Sequence, residues 1–182
     1  MHVPTHIMAG WCLANCLPLN ARQRFGCMAA SAIPDLDGVG IIFGMDSDAY
    51  QNFHHVLGHN LMFGLLTCGL LAVLSGRFLL SIAVYLGMFH LHLLMDYYGS
   101  GPLWPIPYLW PSSHLRFVNP NAWDLYSWQN ITIATALLLW TIAIAILRKR
   151  TPLEWIMPNL DRQLLSAVPP YNSRKPESRK IS

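Results

Sequence analysis

The chain has 182 residues, 53% of them hydrophobic and only 12% charged, against a charged share of about 25% in an ordinary soluble domain. Lipid is the natural solvent for such a composition. The net charge of +3 arises from short basic clusters rather than a basic face interleaved with aromatics, so nucleic acid is not an expected partner. The four cysteines (Cys12, Cys16, Cys27, Cys68) lie in apolar stretches without a C-x-x-C pair, which argues against a disulfide frame and against a thiolate zinc site.

Met1 to Pro18 has neither a basic start nor an A-x-A cleavage pattern and reads as mature sequence. No internal repeat is visible, so one domain is expected. Ile7 to Leu19 is apolar but short, and the basic stretch Asn20-Ala21-Arg22-Gln23-Arg24 follows it as a loop. Phe25 to Ile33 resumes apolar character until Pro34-Asp35-Leu36-Asp37-Gly38 interrupts it, and Val39 to Gly44 closes the stretch. A spanning helix needs about 20 apolar residues, so these elements are either short and tilted or broken at the aspartates. Broken helices at membrane depth line sites in many membrane proteins.

A polar connection from Met45 to Asn60 carries Asp46, Asp48, His54, His55 and His59. Leu61 to Ser75 and Phe78 to Met95 are long apolar runs parted only by Gly76-Arg77, which predicts a helical hairpin. Gly99 to Gln129 is too rich in proline for a helix and aromatic enough for the headgroup level. Asn130 to Leu147 is the cleanest span, ended by Arg148-Lys149-Arg150. Residues 1–150 therefore read as a membrane-embedded domain and 151–182 as a polar, partly disordered cytoplasmic tail.

Cytoplasmic loops collect Lys and Arg. Counting through the spans puts Arg22 with Arg24, Arg77, and Arg148 to Arg150 on one side, which makes the C-terminus cytoplasmic. His6, the His54 to His59 connection, the end of the helix bearing His92 and Asp96, and the aromatic loop then fall on the outer side.

The candidate ligands are His6, Asp35, Asp37, His54, His55, His59, His92 and Asp96, with His90, His114 and Asp124 as outliers. On a helix His92 and Asp96 leave the same face one turn apart, whereas His90 lies about 200° round from His92. Imidazole and carboxylate without thiolate suit zinc, manganese or iron. A cation would relieve the mutual repulsion of Asp35 and Asp37. The alternative is structural: Asp35 caps a helix, His54 and His55 form a solvated turn, and His92 bonds only to Asp96.

Four motifs carry a resemblance. Thr5-His6-Ile7-Met8-Ala9-Gly10, Pro34-Asp35-Leu36-Asp37, His54-His55-Val56-Leu57-Gly58-His59-Asn60 and Leu91-His92-Leu93-Leu94-Met95-Asp96 resemble, in order, the T-H-x-x-x-G, P-D-x-D, H-R-x-x-x-H-S and S-H-x-x-x-D of the YdjM-type membrane-bound metal-dependent hydrolases. Gly101-Pro102-Leu103-Trp104-Pro105 is similar to that family's aromatic, proline-rich stretch. His55 stands where the family often has Arg, and Asn60 where it often has Ser. The resemblance implies a metal site of His6, Asp35 or Asp37, His54, His59, His92 and Asp96.

The expectation is an all-α, multi-pass transmembrane bundle of about five spanning or partly spanning helices in the cell inner membrane. Its expected activity is metal-dependent hydrolysis of a phosphate or other ester at the membrane surface, with a divalent metal, zinc first, as cofactor and Asp37 as general base if it is not a ligand. Membrane lipids and a small or lipid-derived ester are the expected partners. The competing expectation is an ion or proton-coupled transporter built on the same His and Asp residues.

Overall fold

The computed structural model describes residues 1–44, 56–102 and 104–167, with the backbone alone described for 39–43. Its helices are α1 (Val3–Ala14), α2 (Ala21–Ala30), a 3-10 stretch (Ile33–Phe43), α3 (Leu61–Ser75), α4 (Phe78–Gly99), α5 (Trp128–Arg148) and α6 (Pro158–Ser166). No strand occurs among the described residues; the aromatic loop holds one antiparallel bridge between Ile106 and Phe117.

Local chemistry sets the helix ends. α2 starts earlier than the apolar pattern indicates, because Asn20 and Gln23 form a reciprocal capping box: Gln23 N–H donates to Asn20 Oδ1 at 2.9 Å and Asn20 N–H to Gln23 Oε1 at 3.1 Å. The stretch expected as a basic loop is therefore the first turn of α2. Arg24 is buried there because Glu154 neutralises it through two bonds of 2.6 and 2.9 Å. Asn60 caps α3 by accepting from Phe63 N–H at 2.8 Å. Gly76 (φ 70) and Arg77 (φ 48) make the sharp left-handed reversal between α3 and α4.

Two helices, α4 with 22 residues and α5 with 21, are long and apolar enough to cross a membrane. α3 is apolar but shorter at 15 residues, and α1 and α2 have 12 and 10. The five spanning or partly spanning elements expected from the sequence thus resolve into two of spanning length and several shorter ones. α5 buries only Asn130 and Ile144 and presents Ile131, Leu138, Leu139, Ile142 and Leu147 outward. A helix apolar all round on an exposed face needs lipid rather than water against it.

The core joins α2, α3 and α4 around Cys27, Cys68, Tyr85 and Phe89. Small residues allow the close crossings: a Cβ on Gly26 would collide with the Tyr85 ring, and one on Gly64 with Phe89. The bundle has two distinct ends. At one, Arg22 reaches the Leu74 carbonyl, Gln23 reaches Ser81, and Arg148 reaches the Asn15 carbonyl. At the other, the start of α1, the end of α4 and the start of α5 meet, with Asn130 donating to the Gly99 carbonyl at 2.8 Å. Past residue 150, Thr151 bonds to Asp161 of α6 through its N–H (3.0 Å) and its hydroxyl (2.7 Å).

Candidate metal centre

Four separate pieces of chain deliver side chains to one point. α1 carries His6, the 3-10 stretch Asp35 and Asp37, the turn before α3 His59, and α4 both His92 and Asp96. Gly10, one turn after His6, lets α1 approach α2 so closely that a Cβ would strike Ser31 Oγ and the Cys27 carbonyl. Gly58 does the same for the other side: its missing side chain leaves room for the Pro34 carbonyl, and its N–H donates to Asp37 Oδ2 at 2.9 Å.

His92 Nδ1 lies 2.8 Å from the Ser31 carbonyl oxygen, an acceptor only an N–H can meet, so the lone pair of the neutral ring sits on Nε2. His59 Nδ1 lies 3.2 Å from Asp37 Oδ2, which likewise aims a lone pair from its Nε2. These two nitrogens stand 3.0 Å apart, and Asp96 Oδ2 is 3.0 Å from His92 Nε2 and 3.2 Å from His59 Nε2. Three acceptors this close repel one another unless a proton or a cation is shared among them.

On the other side of Asp96, Oδ1 lies 3.1 Å from His6 Nε2 and accepts from the Ser100 hydroxyl at 2.9 Å and from the Met1 amino group. Asp35 reaches in from the 3-10 stretch, 3.7 Å from His92 Nε2 and 4.0 Å from both His6 and His59. One ligand atom each from His6, Asp35, His92 and Asp96 falls within 4.8 Å of all the others. Donors about 2.1 Å from a zinc ion lie at most about 4.2 Å apart, so only a small inward movement would be needed for these four to share one ion. His6 Nδ1 and Asp35 Oδ2 are buried with no hydrogen-bond partner, and a nearby cation would satisfy the carboxylate oxygen. The donor set and the fixed ring orientations fit a divalent metal.

His59 lies outside the spanning helices. Burial disfavours its charged form, but the Asp37 and Asp96 carboxylates outweigh that cost and raise its pKa to about 9.

Of the residues singled out in the sequence, His6, Asp35, His59, His92 and Asp96 come together. Asp37 stands one layer out, engaged with His59 and the Gly58 amide. His54 and His55 lie outside the described residues. His90 faces away from the cluster, donating from Nδ1 to the Leu86 carbonyl at 2.7 Å, with Nε2 2.8 Å from the Tyr108 hydroxyl. His114 and Asp124 are exposed elsewhere. Sequence reasoning missed Ser100 and Ser31. Ser100 follows Asp96 by four residues, a spacing that signals a shared helix face; Ser31 acts through its backbone carbonyl, which leaves no mark on residue identity.

A family model described as YdjM inner membrane protein matches residues 1–159. The chain belongs to that family. Comparison with curated proteins and with solved structures gives no match. In this YdjM-family chain Asn60 caps α3 through its side-chain oxygen, a task that serine performs equally well. Asparagine does more at this place: its Nδ2 also donates to the Val56 and Leu57 carbonyls at 3.0 and 2.8 Å, which a single serine hydroxyl could not do for both.

Proposed function

We propose that the chain is a membrane-bound, metal-dependent hydrolase acting on a phosphate ester, or another ester, that is confined to the membrane or presented at its surface. The observation that carries this reading is the convergence of His6, Asp35, His92 and Asp96 within 4.8 Å, with the His92 and His59 lone pairs aimed inward by the Ser31 carbonyl and Asp37. A divalent metal held by these groups would lower the pKa of a bound water to give a hydroxide nucleophile and would polarise the scissile oxygen. Imidazole and carboxylate donors place zinc first, with manganese and iron next.

The protein residues divide the remaining work. Asp96 and the three imidazoles supply charge and lone pairs in a water-poor interior. Asp35 enters on the less enclosed side, its side chain 10% exposed, where an incoming ester would meet the site. Asp37, expected from the sequence as a general base, is read as a positioning residue, since its Oδ2 is committed to His59 and Gly58. The lipid setting of α4 and α5 favours a lipid-derived ester as substrate.

The test is a screen of the detergent-purified protein, loaded with zinc or manganese, against phosphate mono- and diesters that include lipid ones. Chelator-sensitive turnover that disappears in Asp35→Ala is expected. Protein that holds its metal yet turns over none of these esters would count against hydrolysis.

A further inference from the structure

At the opposite end of the bundle from the histidine cluster, a cavity of about 290 Å³ is lined by Arg22, Phe25, Gly26, Leu71, Leu74 and Trp155, with Ser75 beside them. Cluster and cavity sit at the two ends of α3, a separation of roughly 22 Å at 1.5 Å per residue, so the two are distinct. We propose that this cavity binds an anionic phospholipid, its phosphate on Arg22 and the start of an acyl chain between Phe25, Leu71, Leu74 and Trp155.

Charge is the first argument. Arg24 is neutralised by the Glu154 fork, whereas Arg22, two residues away and exposed, donates to the Leu74 carbonyl at 3.2 Å and lies 6.0 Å from the Trp155 ring centre, with no carboxylate paired to it among the described residues. A guanidinium has five N–H donors in a planar fork suited to phosphate, so most remain for a ligand.

The wall is the second. Trp155 is held in place from both sides, since its neighbour Glu154 is clamped by Arg24 and its own ring lies 4.7 Å from that of Phe25. An indole at a bilayer interface, over an apolar slot and beside a cation, matches the junction of headgroup and acyl chain. Arg77 and Arg148 to Arg150 lie at the same end, which the positive-inside rule assigns to the anionic cytoplasmic leaflet.

The experiment reconstitutes the full chain in phosphatidylcholine vesicles containing equal mole fractions of either brominated phosphatidylglycerol or brominated phosphatidylcholine, and reads tryptophan quenching. The difference between wild type and Trp155→Phe isolates the signal from the cavity. Stronger quenching by the anionic lipid is expected, lost in Arg22→Gln and kept in Arg22→Lys and in Arg77→Gln. Because Arg22 is exposed, its substitution should leave helical content unchanged, and circular dichroism checks this. Equal quenching by the two lipids, an excess that survives Arg22→Gln, or displacement of the lipid by inorganic phosphate would each overturn the proposal.

Discussion

At His59 the physics of burial and of charge pull in opposite directions, and charge wins. With a pKa of about 9, the ring in the metal-free protein holds a proton at neutral pH, and that proton separates the three facing acceptors. A metal must displace it, so binding should release a proton and gain about tenfold in affinity per pH unit below pH 9. Calorimetric titration in buffers of different ionisation enthalpy measures both, and affinity independent of pH between neutrality and 9 would contradict this account. The same shift has a stability consequence of fixed sign. A raised pKa stabilises the metal-free fold fully below the unfolded value of about 6.5, and this contribution disappears as pH rises through 9. Asp37→Asn tests the layer behind His59. It should keep the fold and weaken metal binding by about 10- to 100-fold, as loss of a group orienting a ligand does, measured by competition with a chelating dye.

Elements meet at the centre only because two glycines permit it. Gly58→Ala forces a methyl into the Pro34 carbonyl and should cost about 1 to 3 kcal/mol, as overpacking does, together with metal retention. Gly69→Ala, in the middle of α3 with nothing within 4 Å, should instead be neutral or stabilising through helix propensity. Thermal unfolding in detergent separates the two, and equal behaviour would remove the close approach as the reason for glycine at 58. How much of this was legible depended on range. The pairing of His92 with Asp96, and the turning away of His90, follow from helix periodicity and needed only local sequence. The pairing of His59 with Asp37 spans 22 residues across a connection, and no pattern of residue types announces it. The start of α2 was hidden because arginine looked like a loop marker, while the partner that lets Arg24 be buried, Glu154, lies 130 residues on. α6 is short and polar, and its tie to Thr151 through Asp161 has no periodic signature.

For the whole molecule, helix directions bring Arg22, Arg77 and Arg148 to one end and the histidine cluster to the other. Reporter fusions after Arg77 and Arg150 should both report the cytoplasm, and one near Ser112 the outer side; Arg77 and Arg150 on opposite faces would break the shared-end arrangement. Whether this cluster holds a metal is decided by elemental analysis of the detergent-purified protein after metal loading. Bound divalent metal is expected in the wild type and in His90→Gln, and its loss in His92→Ala and Asp96→Ala. Wild-type protein without metal, or His92→Ala that retains it while His90→Gln does not, would contradict a metal centre at this cluster.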